Sequence, residues 1–454
     1  MYIENNNQTK HTPNWKTLLA IFSFTLSIFI WFSGLIGSLQ RPSVANSLEL
    51  RRLELVSLGM PSESRNIVQF FVGKQPEDSL QNALEKSHIS RKRDILLNIS
   101  LQEKIQRSAN SNFVSTWRVK SIYKKYWTFQ TPEYSATNTQ EKLLKKIYDD
   151  PLLFKLNCEI LKYGNCRQLI PESKAFLQIL GVTIPPILAL IIGGILLLRQ
   201  IWLIWRRENQ SLPILIAPAL GLIDIVLLIS GGFVTLGETA SSILVIPLTQ
   251  ATTNFFHLAS PLREAISIVL LYLGLSVMPL VILILTLRPN QPAPPEGFLQ
   301  LHWKPLGSTI SQATISVLSV CPLVVALEQL SKIIINTPSG SNPLMTLLLN
   351  NHNPLALMFF SFPAVILAPL FEELIFRGVL LPSLGRKLGP GWGVILSSLI
   401  FSIAHLSLGE LAPLTALGLG LGWLRVTSGR LAPCVLMHAF WNSFTVINLL
   451  LLGS

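Results

Sequence analysis

Charge is what this sequence has least of. Only 13% of its 454 residues are Asp, Glu, Lys or Arg, whereas a soluble domain carries roughly a quarter. Half of the chain is apolar and its mean hydropathy is +0.48. A soluble globular protein is therefore excluded, and an integral membrane protein is expected. Cysteine is also scarce, with four in all. Cys321 and Cys434 lie in apolar runs and read as small core residues. Cys158 and Cys166 lie in the single large polar segment. They either close a disulfide, if that segment faces an oxidising compartment, or remain two free thiols. Neither pair has metal-ligand spacing. No nucleic-acid motif is present, and the net charge of +12 is of the kind that marks loops near anionic lipid. Nucleic acid is not an expected partner; the lipid bilayer is.

The apolar residues fall into runs of spanning length. The first extends from about Trp15 to Leu39 and is longer than the apolar region of a signal peptide, so residues 1–40 read as an uncleaved anchor helix. Removal after the small residues Ser43-Val44-Ala45 is the alternative. Residues 41–171 differ in character, with 21 Lys and Arg against 13 Asp and Glu. Asp94–Arg107 and Glu141–Leu161 repeat at helical period, and aromatics such as Trp117, Tyr123, Tyr126 and Trp127 are scattered among them. This is expected to be a mainly helical soluble insert, and no motif in it connects to chemistry. Further runs lie at about 175–203, 212–236, 265–287, 309–330, 355–385, 391–408, 411–425 and 431–451. Pro185-Pro186 and Pro213 fall early in their runs, where a helix tolerates proline best. A connector with Pro289, Pro292, Pro294 and Pro295 separates residues 172–300 from 301–454. The fold class is thus all-α, a polytopic bundle of about nine spans with a helical extramembrane insert between spans one and two.

Basic residues alternate between loops. Arg199, Arg206, Arg207, Arg288, Lys304, Arg386, Lys387, Arg425 and Arg430 fall on one side, while the opposite loops hold mainly Arg263, Lys332 and Glu410. The positive-inside rule then places the N-terminus in the cytoplasm, the C-terminus outside and the 41–171 insert on the exoplasmic side.

Three places in the last ninety residues break the apolar pattern. Glu372, Glu373 and Arg377 lie within two turns of one apolar run, where each charge costs at least ~2.5 kcal/mol unless paired. Glu373 and Arg377, four apart, share a face and form an ion pair. Glu372 projects about 100° away and is left free, which suits a general base. The alternative is a purely structural ion-pair helix. The next run contributes His405, which is either catalytic or simply hydrogen-bonded to a backbone carbonyl. The last run contributes His438 and Asn442, four apart on one face; helix–helix hydrogen bonding is their structural alternative. As a set, these groups can activate water and stabilise a tetrahedral oxyanion. Asp224, also inside an apolar run, reads as structural or solvated.

The sequence Glu372-Glu373-x-x-x-Arg377, then Phe401-x-x-x-His405, then His438-x-x-x-Asn442, resembles the three-motif signature of the CPBP family. These are the CAAX proteases and bacteriocin-processing enzymes, also called the abortive-infection family. The resemblance covers about 355–452, with residue 265 as its farthest reach back. It implies an intramembrane protease in which Glu372 with His405 activates water, and His438 and Asn442 stabilise the oxyanion. Glu373 and Arg377, with Phe401, are then supporting residues. No cofactor is required in this reading. The family has also been described as metalloproteases, and Glu372, His405 and His438 would be the ligands of a zinc ion; the HExxH helix of soluble zinc proteases is absent. Counting from the inner loops puts Glu372 and His438 in the inner half to the middle of the bilayer, with His405 nearer the middle. The implied partner is a membrane-protein or lipid-anchored peptide substrate, entering laterally or from the cytoplasm. The sequence does not fix the oligomeric state. The rival class is a non-enzymatic scaffold, immunity factor or transport component that uses the same polar cluster structurally.

Overall fold

A computed structural model describes residues 14–40, 44–59, 76–86, 92–109, 150–161, 172–206, 212–218, 220–237, 241–287, 297–335 and 343–453. Cys166, the aromatics Trp117, Tyr123, Tyr126 and Trp127, Arg207, Arg288 and most of the Pro-rich connector lie outside these residues, as does the side chain of Cys158. The chain divides into two compact units, residues 45–184 and residues 1–44 with 185–454.

In the first unit, Val44–Gly59, Pro76–Lys86, Lys92–Ala109 and Pro151–Leu161 are helices. They close around Leu80, Leu84, Leu97, Leu101 and Leu156, all essentially without exposure. The polar residues at the rim are paired. Arg93 bridges Glu54 at 2.7 Å and also Asp150, and these carboxylates hold its guanidinium above the ordinary arginine range despite its burial. Lys104 bridges Glu77 and Glu159. The helical insert expected from its periodicity is present over these residues.

The second unit is a helical bundle, and among the described residues it contains no β-strand. Among the described residues, six helices are long and apolar enough to cross a bilayer: Asn14–Ser38, Glu172–Trp205, Leu262–Leu287, Leu306–Ile335, Pro354–Leu388 and Ala432–Gly453. Leu222–Leu236 and Pro390–Ile403 are apolar but shorter. The expected nine spans are therefore not all of spanning length. The run at 212–236 is non-helical over residues 212–218 and 220–221, and the run at 391–408 stops being helical after Ile403. Two shorter helical stretches, 241–255 and Pro343–Asn350, were not marked by the apolar runs. Pro185 and Pro186 sit inside their helix rather than at its start. Membrane helices accommodate such prolines because neighbouring groups re-satisfy the freed backbone.

Asp224 lies in the first turn of its helix. One carboxylate oxygen accepts from the Gly221 N–H at 3.0 Å, and the other pairs with Lys16 of the first helix at 3.0 Å. That first helix is fastened again where Ser27 donates to the Ser230 carbonyl at 2.8 Å.

Glycines allow a close approach between Pro390–Ile403 and Leu411–Ser428. A Cβ on Gly418 would meet Ser398 Cβ at 2.9 Å and its Cα at 3.1 Å, and one on Gly422 would meet Val394 at 2.9 Å. Small residues spaced four apart let helix backbones approach closely where lipid gives no hydrophobic drive. Gly429, at φ +68°, ends this helix with its N–H on the Arg425 carbonyl, a left-handed cap that glycine adopts without steric cost.

Two outcomes follow. Gly418→Ala forces the Ser398 backbone aside and is expected to cost about 1–3 kcal/mol, whereas Gly391→Ala, which meets nothing within 4 Å, leaves stability unchanged; unfolding in detergent micelles measures both. The second concerns Glu410, in the loop before Leu411. Burial, with Glu328 adding to it, pushes its carboxyl up from 4.5 to about 7. The folded state holds this proton more tightly than the unfolded chain does. Its contribution to stability is thus complete below about pH 4.5 and lost as pH rises through about 7. Comparing melting temperatures at pH 5 and pH 8, wild type is expected to lose more than Glu410→Gln.

Candidate active site

The helix that carries the carboxylates begins at Asn353, whose side chain accepts from the Leu355 and Ala356 N–H groups at 3.0 and 3.1 Å. Pro354 occupies its first turn, the position where a missing N–H costs least. Farther on, Pro363, Pro369 and Pro382 each remove a donor from the ladder. The helix widens into π-helical turns over Pro363–Leu367 and Leu374–Leu380, on either side of Ala368–Glu373. Such local widening is frequent at functional sites, because it re-aims side chains that a regular helix would stack.

Glu373 and Arg377 are fully buried and paired at 3.1 Å. Arg377 also donates to the Gly418 carbonyl at 3.2 Å, and its guanidinium lies 4.4 Å from the centre of the Phe401 ring. The same Glu373 oxygen accepts from His438 Nδ1 at 3.0 Å. A carboxylate that also pairs with Arg377 can only accept, so Nδ1 carries the hydrogen and Nε2 of His438 is the nitrogen left for other contacts. Phe401 has no exposure and meets three elements at once: Phe376 at 5.3 Å, His405 at 4.7 Å and His438 at 5.8 Å between ring centres. The spacing Phe401-x-x-x-His405 thus places an aromatic wedge beneath both imidazoles.

His405 is not on a helix. Pro390–Ile403 ends at Ala404, and the chain turns through Leu406, which has φ +52°. A left-handed conformation at a leucine is strained and persists only where the surroundings impose it. Here they come from the first helix, where Gly34 lies against the Leu406 side chain and Ser38 Oγ accepts from the Leu408 N–H at 3.1 Å. His405 Nδ1 lies 2.8 Å from the Phe401 carbonyl. A carbonyl accepts only, so Nδ1 donates and, in the neutral ring, Nε2 presents a lone pair.

That lone pair faces Glu372. His405 Nε2 is 3.9 Å from Glu372 Oε2, which is buried and has no hydrogen-bond partner among the described residues. The other oxygen, Oε1, accepts from the Tyr272 hydroxyl at 3.0 Å. Glu372 is therefore not wholly free, as its helix position suggested. Asn442 lies one turn beyond His438, and its amide donates to the Ala364 carbonyl at 2.7 Å. All three motifs converge, but on two carboxylates: His405 on Glu372, and His438 on Glu373.

Several members of this arrangement have no sequence signal. Tyr272 stands alone in an apolar helix, a hundred residues from Glu372. Arg425, which the alternation of basic loops places in a loop, is fully buried inside Leu411–Ser428. Its Nε donates to the Arg377 carbonyl at 3.1 Å, and its Nη2 donates to Gln300 Oε1 at 2.8 Å. Gln300 in turn donates to the Ile214 carbonyl at 3.1 Å.

In the alternative metal reading, Glu372, His405 and His438 would be the zinc ligands. Among the described residues no three His, Cys, Asp or Glu side chains come together in a group that could hold a metal ion. As arranged, with His405 directed at Glu372 and His438 at Glu373, these three side chains do not form a zinc site.

The fold and this cluster define a multi-pass membrane protein with a polar site buried among its C-terminal helices. Comparison with known proteins agrees with that description. The family model described as "Type II CAAX prenyl endopeptidase Rce1-like" matches residues 354–444, which contain all three motifs. Over these residues the chain is similar to the CPBP-type proteases that its three motifs resemble. A second model, "Domain of unknown function (DUF8675)", matches residues 45–177. A protein of Bacillus subtilis (strain 168) named "Putative membrane peptidase YdiL" is 33% identical over 82 residues, which is 18% of this chain and 34% of that protein. The similarity thus spans about a third of the relative's length. No solved structure matches.

Arg377→Met tests the buried pair. It strands Glu373 without its cation and is expected to destabilise the protein by about 3–5 kcal/mol. The double replacement Arg377→Met with Glu373→Leu should regain part of that loss, as thermal unfolding in detergent would report. Equal stability of the single variant and wild type would contradict the pairing.

Proposed function

We propose that the chain is an intramembrane endopeptidase of the CAAX-processing type, with Glu372 and His405 as the groups that activate water. The observation that carries this reading is the 3.9 Å gap between Glu372 Oε2 and His405 Nε2, with Oε2 buried and unpartnered. A water molecule admitted between these atoms, within about 2.8 Å of each, would give one hydrogen to each acceptor. As its oxygen attacks the substrate carbonyl carbon, Glu372 takes the proton, and the carbonyl oxygen becomes an oxyanion. Collapse of the tetrahedral intermediate breaks the C–N bond, and the proton passes from Glu372 to the departing amine.

The oxyanion requires donors. His438 supplies Nε2–H when both of its ring nitrogens carry hydrogen. Asn442 keeps one amide hydrogen beyond the one it gives to Ala364. Each such donor contributes roughly 10²–10³-fold in comparable hydrolases. Glu373, Arg377 and Phe401 hold these groups in place. No step in this mechanism runs through zinc.

Substrate and topology complete the proposal. The substrate is a membrane protein or lipid-anchored peptide that reaches the site laterally or from the cytoplasm. The N-terminus is cytoplasmic and residues 41–171 are exoplasmic, as the basic residues of the short loops indicate.

The test compares membranes from cells producing wild-type and Glu372→Gln protein, with new protein termini identified by mass spectrometry. Termini dependent on Glu372 are expected, with cleavage reduced at least about 100-fold in the variant and the variant still folded. Identical termini in the two membranes would sink the peptidase reading. Chelator treatment of the purified full-length protein is expected to leave cleavage unchanged; loss that is restored by zinc would assign the metal mechanism instead.

A further inference from the structure

We propose that Tyr272 is a positioning residue of this site, so that the catalytic apparatus extends beyond residues 354–444 to the helix Leu262–Leu287. The inference rests on the role of Glu372 given above. Tyr272 Oη donates to Glu372 Oε1 at 3.0 Å. It comes from a helix outside the matched domain, and no motif includes it.

The geometry gives this bond a specific consequence. A carboxylate on a helix rotates about its terminal torsion, and that torsion is broad and roughly two-fold. With nothing to fix it, either oxygen could face His405 and the carboxylate plane could swing off the gap. Donation from Tyr272 to Oε1 selects one arrangement, in which Oε2 is the atom 3.9 Å from His405 Nε2. The phenol is rigid and has only two side-chain torsions, so holding the oxygen there costs little conformational freedom. A hydrogen bond to a charged group is also among the stronger ones in a site sheltered from water. One oxygen is therefore the anchor and the other the base. Neighbouring residues do not duplicate the contact: Ser276, one turn farther along, donates to the Tyr272 carbonyl at 2.9 Å and does not approach Glu372 by any described hydrogen bond.

Tyr272 acts through Glu372, so its loss should lower turnover without weakening substrate binding. Tyr272→Phe keeps the ring and removes only the donor. Ser276→Ala, on the same helix, serves as control. Full-length protein in detergent is assayed with a quenched peptide spanning a cleavage site found by the Glu372→Gln comparison. The expected result for Tyr272→Phe is a 10- to 100-fold lower kcat with KM within about twofold of wild type. Its melting temperature should be unchanged, and Ser276→Ala should match wild type. A wild-type kcat in Tyr272→Phe would overturn the proposal. So would a kcat loss matched by a lower melting temperature, or by the same loss in Ser276→Ala, since each marks the helix as merely structural. Failure of Glu372 itself shows separately, because Glu372→Gln would then cleave like wild type whatever Tyr272→Phe does.

Discussion

A buried Glu373 carboxylate, with no exposure at all, can exist in this bundle only because Arg377 lies 3.1 Å away on the same helix. An unpaired charge in such surroundings costs several kcal/mol. Arg377 has a matching need, and it is met from three directions: Glu373, the Gly418 carbonyl and the face of Phe401. Three separate helical elements are thereby drawn onto one guanidinium. His438 adds a fourth, because it donates to the same Glu373 oxygen. The requirement to satisfy one ion pair away from water thus brings together the elements that carry the other polar residues, and the pair itself need not touch a substrate.

The same requirement explains the packing around it. Arg377 reaches the Gly418 carbonyl only if the helix Leu411–Ser428 comes close, and a Cβ at Gly418 would lie 3.3 Å from Arg377 Nη2 and 2.9 Å from Ser398. Glycine and serine at this crossing are therefore electrostatic as much as steric choices: they let a backbone carbonyl serve as a ligand for a buried cation. Arg425 repeats the device one layer along, with its Nε on the Arg377 carbonyl and its Nη2 on Gln300. The wide turn Leu374–Leu380 contains Arg377, and Arg425 supplies a donor to a carbonyl of that turn.

Much of this was legible in the residues because it is local in sequence. Spacing of four gives the Glu373–Arg377 pair, and the polar residues stand out against apolar runs. A membrane interior makes that contrast sharp, since a polar group there needs a reason. What spacing could not show was the partner of His438. A shared helix face for His438 and Asn442 does not reveal that the imidazole turns to Glu373 while the amide turns to Ala364. Helix length was also misjudged where apolar composition continues past the helix, as from Ile403 to Leu408. There the chain is held by Ser38 and Gly34, more than 360 residues earlier in sequence. Arg425 was misread for a related reason: charge in a short connecting segment looks like a loop marker unless the helix is known to continue to Ser428. Long-range partners leave no periodic trace.

The division of labour between the two adjacent glutamates follows from these contacts. Glu373 spends one oxygen on both Arg377 and His438 and is enclosed on every side, so it is poorly suited to exchanging a proton with a transient water. Among the described residues, Glu372 has no cation at comparable distance. It has one neutral donor, Tyr272, and one imidazole at 3.9 Å, and its side chain keeps 14% of its exposure while that of His405 keeps 29%. In the proposed mechanism the base must meet a transient water, which favours the carboxylate that keeps some exposure and is not locked in an ion pair. Two carboxylates next to each other in sequence thus differ by environment rather than by chemistry: the helix turns one inward to the arginine and the other toward the gap beside His405.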